Sequence, residues 1–296
     1  MSGLIDYAGL FPPANLELKP SIHKYSNYIQ GNDYWMMAKF ILPASKLNDL
    51  SDEMMAKFSK DNKLRLSLIS SDFSKDKTEL MKMMGAYSGS ILCTTVESKV
   101  IEIDQFESMY EKSRIARTVF DHSIQIFYEI DKTPNWKNGV EQLVKQLSEL
   151  NENYGLNDGF KLRCGGVEQE HFPSPEECAI AINTCRDYDV PMKFTAGLHH
   201  PVRHFSESVN TKMFGFFNLF IGGMLAYKYQ LNNDLLVEIL EDEHPENFIF
   251  SEDGMSWKDL KLSNTEIDQL RKSSLISYGS CSFNEPRNDL KDLGLL

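Results

Sequence analysis

Eight short β-type runs, separated by longer amphipathic stretches, constrain this chain more than any other feature. They fall at residues 3–10 (GLIDYAGL), 34–42 (YWMMAKFIL), 63–70 (KLRLSLIS), 90–97 (SILCTTVE), 124–130 (IQIFYEI), 159–166 (GFKLRCGG), 191–198 (PMKFTAGL) and 275–283 (LISYGSCSF). The first seven begin roughly every 30 residues, about the length of one βα unit. Strands that alternate with helical patterns pair in parallel through crossovers. Strands buried on both faces read as apolar runs, as several of these do. A chain of 296 residues holds one barrel of ~250 residues with modest additions. The expectation is a single α/β domain over residues 1–296, a (β/α)8 TIM barrel.

Local signals agree. Ser174-Pro175-Glu176-Glu177 offers a capping Ser, Pro at the first helical position and Glu at the third. Ser263 and Glu266 form a second capping box, and Asp158-Gly159 turns the chain into the sixth run. Roughly 75 residues part the seventh and eighth runs. They contain a Gly- and Phe-rich helix near 213–230, an acidic helix near 233–243 and an extra strand at 247–250. We read residues 205–270 as a mainly helical insertion, with a small subdomain as the alternative. An open doubly wound sheet is the rival fold. It usually carries a Gly-rich phosphate loop after its first strand, and here that place holds Leu10-Phe11-Pro12-Pro13.

Composition bounds the function. The chain is 42% hydrophobic and 25% charged, enough for a packed core, with a formal net charge of −12. No long basic stretch offers counterion release, so nucleic acid is not an expected partner. The longest near-apolar run, 214–227, is too short to span a bilayer, so neither is a membrane. Cys93, Cys164, Cys178, Cys185 and Cys281 are irregularly spaced without a CxxC, which suits reduced thiols. The N-terminus has neither a cationic n-region nor an apolar h-region. The expectation is a cytoplasmic protein, with a homo-oligomer left open and no cofactor.

Barrel enzymes carry their reactive groups late in the strands and in the loops that follow. The sixth run ends Lys161-Leu162-Arg163-Cys164-Gly165-Gly166, and side-chain alternation puts Lys161 and Arg163 on one face. The seventh reads Met192-Lys193-Phe194-Thr195-Ala196-Gly197, with Lys193 and Thr195 on one face. Two lysines inside one barrel suffer desolvation and mutual repulsion. Both effects lower an amine pKa and prepare it to attack a carbonyl as a Schiff-base nucleophile. The alternative is that they point outward or pair with a carboxylate such as Glu129.

These residues resemble the deoxyribose-phosphate aldolases, class I aldolases built on this barrel. That family carries a Schiff-base lysine in a K-T-S-T-G pattern on strand six and a second lysine in K-x-x-G-G on strand seven. LIDYAGLFPP (4–13) is similar to its first-strand I-D-H-T-L-L-K-P, YEID (128–131) sits where it has a strand-five glutamate, and YGSCSF (278–283) resembles its phosphate-binding F-G-A-S-S. The resemblance implies Lys161 as nucleophile, Lys193 as the group that depresses its pKa, Asp6 as a supporting carboxylate and Glu129 as the strand-five glutamate of the site. Gly279 and Ser280 would contact phosphate. The motifs cover about a tenth of the chain, in the family's order. Arg163, His199-His200 and the insertion depart from the pattern. Glu97 is a candidate for the strand-four aspartate.

His199 or His200 is expected to move the proton that Schiff-base chemistry requires. Arg163, Gly165, Gly166, Thr195, Arg203 and Asn218 join Gly279, Ser280 and Ser282 as candidates for gripping an anionic substrate. Phe214, Phe216, Phe217 and Phe220 read as core. Cys164 and Cys281 lack an obvious base in sequence and read as packing residues. Three functions follow. The first is an aldolase-like lyase acting on a small anionic carbonyl compound. The second is a metal-dependent hydrolase or isomerase using His199, His200 and His204. The third is a non-catalytic ligand-binding barrel.

Overall fold

The computed structural model describes residues 2–120 and 123–296. Its strands and helices, in chain order, begin with β1 (Ile5–Tyr7), α1 (Leu18–Tyr28), β2 (Met37–Pro43), α2 (Asp52–Met55), β3 (Leu64–Ser70), α3 (Phe73–Ala86) and β4 (Ile91–Val100). Then come α4 (Phe106–Arg117), β5 (Gln125–Ile130), α5 (Trp136–Tyr154), β6 (Gly159–Arg163), α6 (Pro175–Asp187) and β7 (Met192–Thr195). The hairpin β8 (His204–Ser206) and β9 (Thr211–Met213) precedes α7 (Phe216–Tyr229) and α8 (Asn233–Glu241). A small sheet of β10 (Phe248–Ser251), β11 (Gly254–Trp257) and β12 (Leu260–Ser263) leads through α9 (Asn264–Ser273) to β13 (Leu275–Ser280) and α10 (Asn284–Asp292).

Eight of these strands close into a barrel in the order β1-β13-β7-β6-β5-β4-β3-β2, all pairings parallel. Each expected run overlaps one barrel strand, so the chain is an α/β barrel of the (β/α)8 kind. The interior follows from the sequence pattern. Leu64, Leu66, Phe160, Leu162, Met192 and Phe194 are buried, and α5 lays Val140, Leu143, Val144 and Leu147 onto the strands. Both expected capping boxes form, at Ser174–Glu177 and Ser263–Glu266. Among the described residues, no helix is long and apolar enough to cross a membrane.

Two strands end earlier than the apolar runs suggest. β6 stops at Arg163 and β7 at Thr195. Ala196 (φ 60°) and Gly197 (φ 72°) both adopt the left-handed conformation, which costs a residue with a Cβ about 1 kcal/mol and turns the chain sharply. That turn carries His199 and His200 over the barrel mouth.

Between β7 and β13 the two expected helices are α7 and α8, and the expected strand at 247–250 is β10. Four further strands, β8, β9, β11 and β12, make the segment less helical than the sequence suggests. Each has three or four residues, too few for a period-two pattern to stand out. α7 is buried nearly throughout, with Phe216, Phe217 and Phe220 in the core beside Phe214. Gly222 and Gly223 let it seat closely. A Cβ on Gly223 would lie 2.8 Å from Leu275, and one on Gly222 would lie 3.1 Å from Ile239.

Asn218 departs from expectation. Its Oδ1 accepts from the Arg203 backbone N–H at 2.8 Å, and its Nδ2 donates to the carbonyls of Ile239 and Asp242 at 2.8 Å each. It is wholly buried and ties the loop after β7 to the end of α8, so it is a structural strut rather than a substrate contact. Asn218→Ala would strand these backbone groups in a dry interior and should lower stability by about 2–3 kcal/mol. Urea unfolding measures this, and a loss under about 0.5 kcal/mol would contradict the strut role.

Candidate active site

A cavity of about 580 Å³ opens at the C-terminal ends of the barrel strands. Phe11, Pro12 and Pro13 form one wall, and Ser206 and Ser208 of the β8–β9 hairpin form another. Ile41 and Ile69 supply apolar lining, and the charged lining includes Glu97, Glu129, Lys161 and Arg163. This is the face where enzymes of this fold work.

Below the mouth, charges alternate across the barrel. Lys161 and Lys193 are direct neighbours in the β6–β7 register. Glu97, from β4, lies between them. One of its oxygens meets Lys161 at 2.8 Å and the other meets Lys193 at 2.5 Å. Lys161 also pairs with Glu129 of β5 at 2.8 Å, and Lys193 pairs with Asp6 of β1 at 2.8 Å. Arg163 extends the row, 4.0 Å from Glu129. Hydroxyls complete it: Ser67 donates to Glu97 at 2.6 Å, and Ser277 donates to Asp6 at 2.7 Å. The Lys39 backbone N–H also donates to Asp6, at 3.0 Å.

This arrangement corrects the expected lysine pKa. Burial alone lowers both amines, but Glu97 and Glu129 outweigh it at Lys161, and Asp6 and Glu97 outweigh it at Lys193. Both are held above the ordinary lysine value. Mutual repulsion does not dominate because a carboxylate sits between the two ammoniums. Burial likewise pushes Glu97 and Asp6 upward, and the lysines overcome it: Glu97 is driven far below the usual carboxylate range and Asp6 is lowered. The lysines differ in access. Lys161 is 8% exposed and lines the cavity, whereas Lys193 is fully buried behind it.

The histidines sit on the rim. His199 Nδ1 lies 2.9 Å from Glu285 Oε2, and His200 Nδ1 lies 2.6 Å from Asp289 Oδ2, both carboxylates being on α10. His199 Nε2 lies 3.9 Å from Cys281 Sγ. Burial opposes protonation of His199, but Cys281 and Glu285 prevail and raise its pKa to about 9. The bond to His199 drops Glu285 to about 2. His204 packs edge-on against His200 at 4.3 Å, and burial, assisted by His200, lowers its pKa. Among the described residues, no group of three or more His, Cys, Asp or Glu is placed to hold a metal ion.

The remaining candidates divide. Thr195, Gly166 and Gly279 line the cavity with Arg163. Gly165 packs against Phe172 and Gly197, with no room for a Cβ. Ser280 donates to the Ser282 carbonyl at 2.7 Å and is buried, while Ser282 Oγ accepts from the Glu285 N–H at 3.3 Å. Arg203 stacks on Phe214, 4.7 Å from the ring centre, and does not line the cavity. Sequence reasoning named Glu97 only as a candidate, although its place late in the fourth run matched where barrel site residues lie. Ser67, Ser277 and Asp289 carried no local signal, since only strand closure brings them in, whereas Glu285, just past the eighth run, was readable as a residue that could close the rim. In comparison with known proteins, the chain matches no family model, and no curated protein is significantly similar to it.

Proposed function

We propose that this chain is an aldolase-like lyase that forms a Schiff base between Lys161 and a small anionic carbonyl compound, in the manner of the deoxyribose-phosphate aldolases it resembles. The observation that carries this reading is the placement of the Lys161 amine on the lining of an open cavity, with Lys193 and Asp6 buried behind it. The resting ammonium must first lose a proton. Glu129, on the cavity wall, accepts it, while Glu97 is held as an anion by Lys193 and Ser67. The amine then adds to the carbonyl carbon. The carbonyl oxygen leaves as water, taking one proton from the added amine nitrogen and one from His199, which is charged at neutral pH. The resulting iminium draws electrons from the neighbouring carbon–carbon bond. Arg163 and His199 supply positive charge for an anionic substrate.

Borohydride reduction in the presence of short aldehydes, 2-keto acids and sugar phosphates tests this, read by intact mass and peptide mapping. A reduced adduct on Lys161 that disappears in Lys161→Met is expected. Silence with every carbonyl compound, or an adduct that persists in the variant, sinks the proposal and favours a barrel that binds ligand without covalent chemistry.

A further inference from the structure

We propose that Cys281 is a second nucleophile in the same cavity, an activated thiol that His199 and Glu285 prepare for addition to electrophilic carbonyl compounds. The sequence shows no base near Cys281, and barrel closure supplies one. Cys281 follows β13, His199 follows β7, and Glu285 stands in the first turn of α10. All three line the cavity. One imidazole nitrogen faces the sulfur at 3.9 Å and the other faces the carboxylate at 2.9 Å. A nucleophile, an imidazole and an orienting carboxylate in series form the arrangement that activates a cysteine. The other four cysteines are fully buried, whereas Cys281 retains 9% exposure. Burial pushes the Cys93 thiol up to about 12 and holds Cys178 and Cys185 well above the ordinary range.

The charge state favours the pair. His199 stays protonated at neutral pH because the sulfur and Glu285 both stabilise its cation. Titratable groups around the pair include His200 and His204 on the His199 side and Tyr7 on the Cys281 side. Burial keeps Tyr7 neutral by raising its pKa, and burial with His200 keeps His204 neutral by lowering its own. His199 Nε2, 3.9 Å from the sulfur, places positive charge where it favours the thiolate form of a cysteine. In the reaction, sulfur bonds to the carbonyl carbon and the π pair moves to oxygen. The imidazolium gives its proton there, giving a thiohemiacetal without a leaving group or an oxidant.

The carbonyl class rests on the Schiff-base reading, but the activated thiol does not. Iodoacetamide therefore serves as the probe, since sulfur displaces iodide whatever the natural substrate is. The folded protein should take up one carbamidomethyl group, on Cys281. Its rate should be nearly flat from about pH 6 to 8, where an ordinary thiol with pKa ~8.5 gains about tenfold per pH unit. His199→Asn should slow the reaction at pH 7 by about tenfold or more and restore the rising profile. Glu285→Gln, at the exposed rim, should slow it less and still fold, which guards against a His199 variant that does not. Modification elsewhere, no modification, or a wild-type profile that rises like a free thiol's overturns the proposal. So does a folded His199 variant indistinguishable from wild type. A failed borohydride trap with intact Cys281 alkylation would count against the lysine reading alone.

Discussion

Glu97→Ala is expected to destabilise the barrel by about 3–5 kcal/mol, because it leaves two buried ammoniums without the carboxylate that separates them. In the wild type each Glu97 oxygen faces one lysine, and Ser67 donates to one of them. Without it, Lys161 keeps Glu129 and Lys193 keeps Asp6. The two cations would then face each other in a poorly solvated interior, where burial already opposes their charge. Glu97→Gln preserves the shape but not the charge and should lose most of the same stability. Urea unfolding at neutral pH provides the measurement. A loss below about 1 kcal/mol for both variants would mean that the row is solvated and contributes little, as surface ion pairs do.

Lys193→Met should cost a similar ~3–5 kcal/mol at neutral pH, and it should also change how stability depends on pH. In the wild type, Asp6 and Glu97 have folded pKa values below their ordinary 3.8 and 4.5. Their contribution is present above those ordinary values and is lost as pH falls through the folded ones. Lys161 and Lys193 are raised above 10.5, so their contribution is present below that value and is lost as pH rises through the folded ones. The wild-type row therefore supports the fold most fully between about pH 4.5 and 10.5. Removing Lys193 leaves Asp6 with burial as its largest influence, and burial raises its pKa. A raised carboxylate reverses the sign, so the variant should recover stability as pH falls from 7 toward 5. Paired urea unfolding curves at the two pH values test this. An unchanged gap between variant and wild type would show that Asp6 remains ionised without its lysine.

How much of the candidate site was legible differs residue by residue. Lys161, Arg163, Lys193 and Thr195 were readable because strand alternation is local: residues two apart share a face whatever surrounds them. Their protonation was not readable, since the carboxylate between the lysines comes from another strand. Asn218 was misassigned because a polar residue in an apolar helix reads alike whether it faces a cavity or braces two backbone carbonyls. Cys281 read as packing because its base lies 82 residues away along the chain.

By itself the sequence determined the repeating strand–helix order, the capped helices and which residues of a strand share a face. These depend on period and on contacts within a few residues. Only the tertiary structure decided that Glu97 would hold both lysines as cations. It also placed Lys161, rather than Lys193, on the cavity lining and set His199 between Cys281 and Glu285. Those outcomes turn on distances of a few ångströms between distant strands, and electrostatic effects in a buried site are set by such distances rather than by order along the chain.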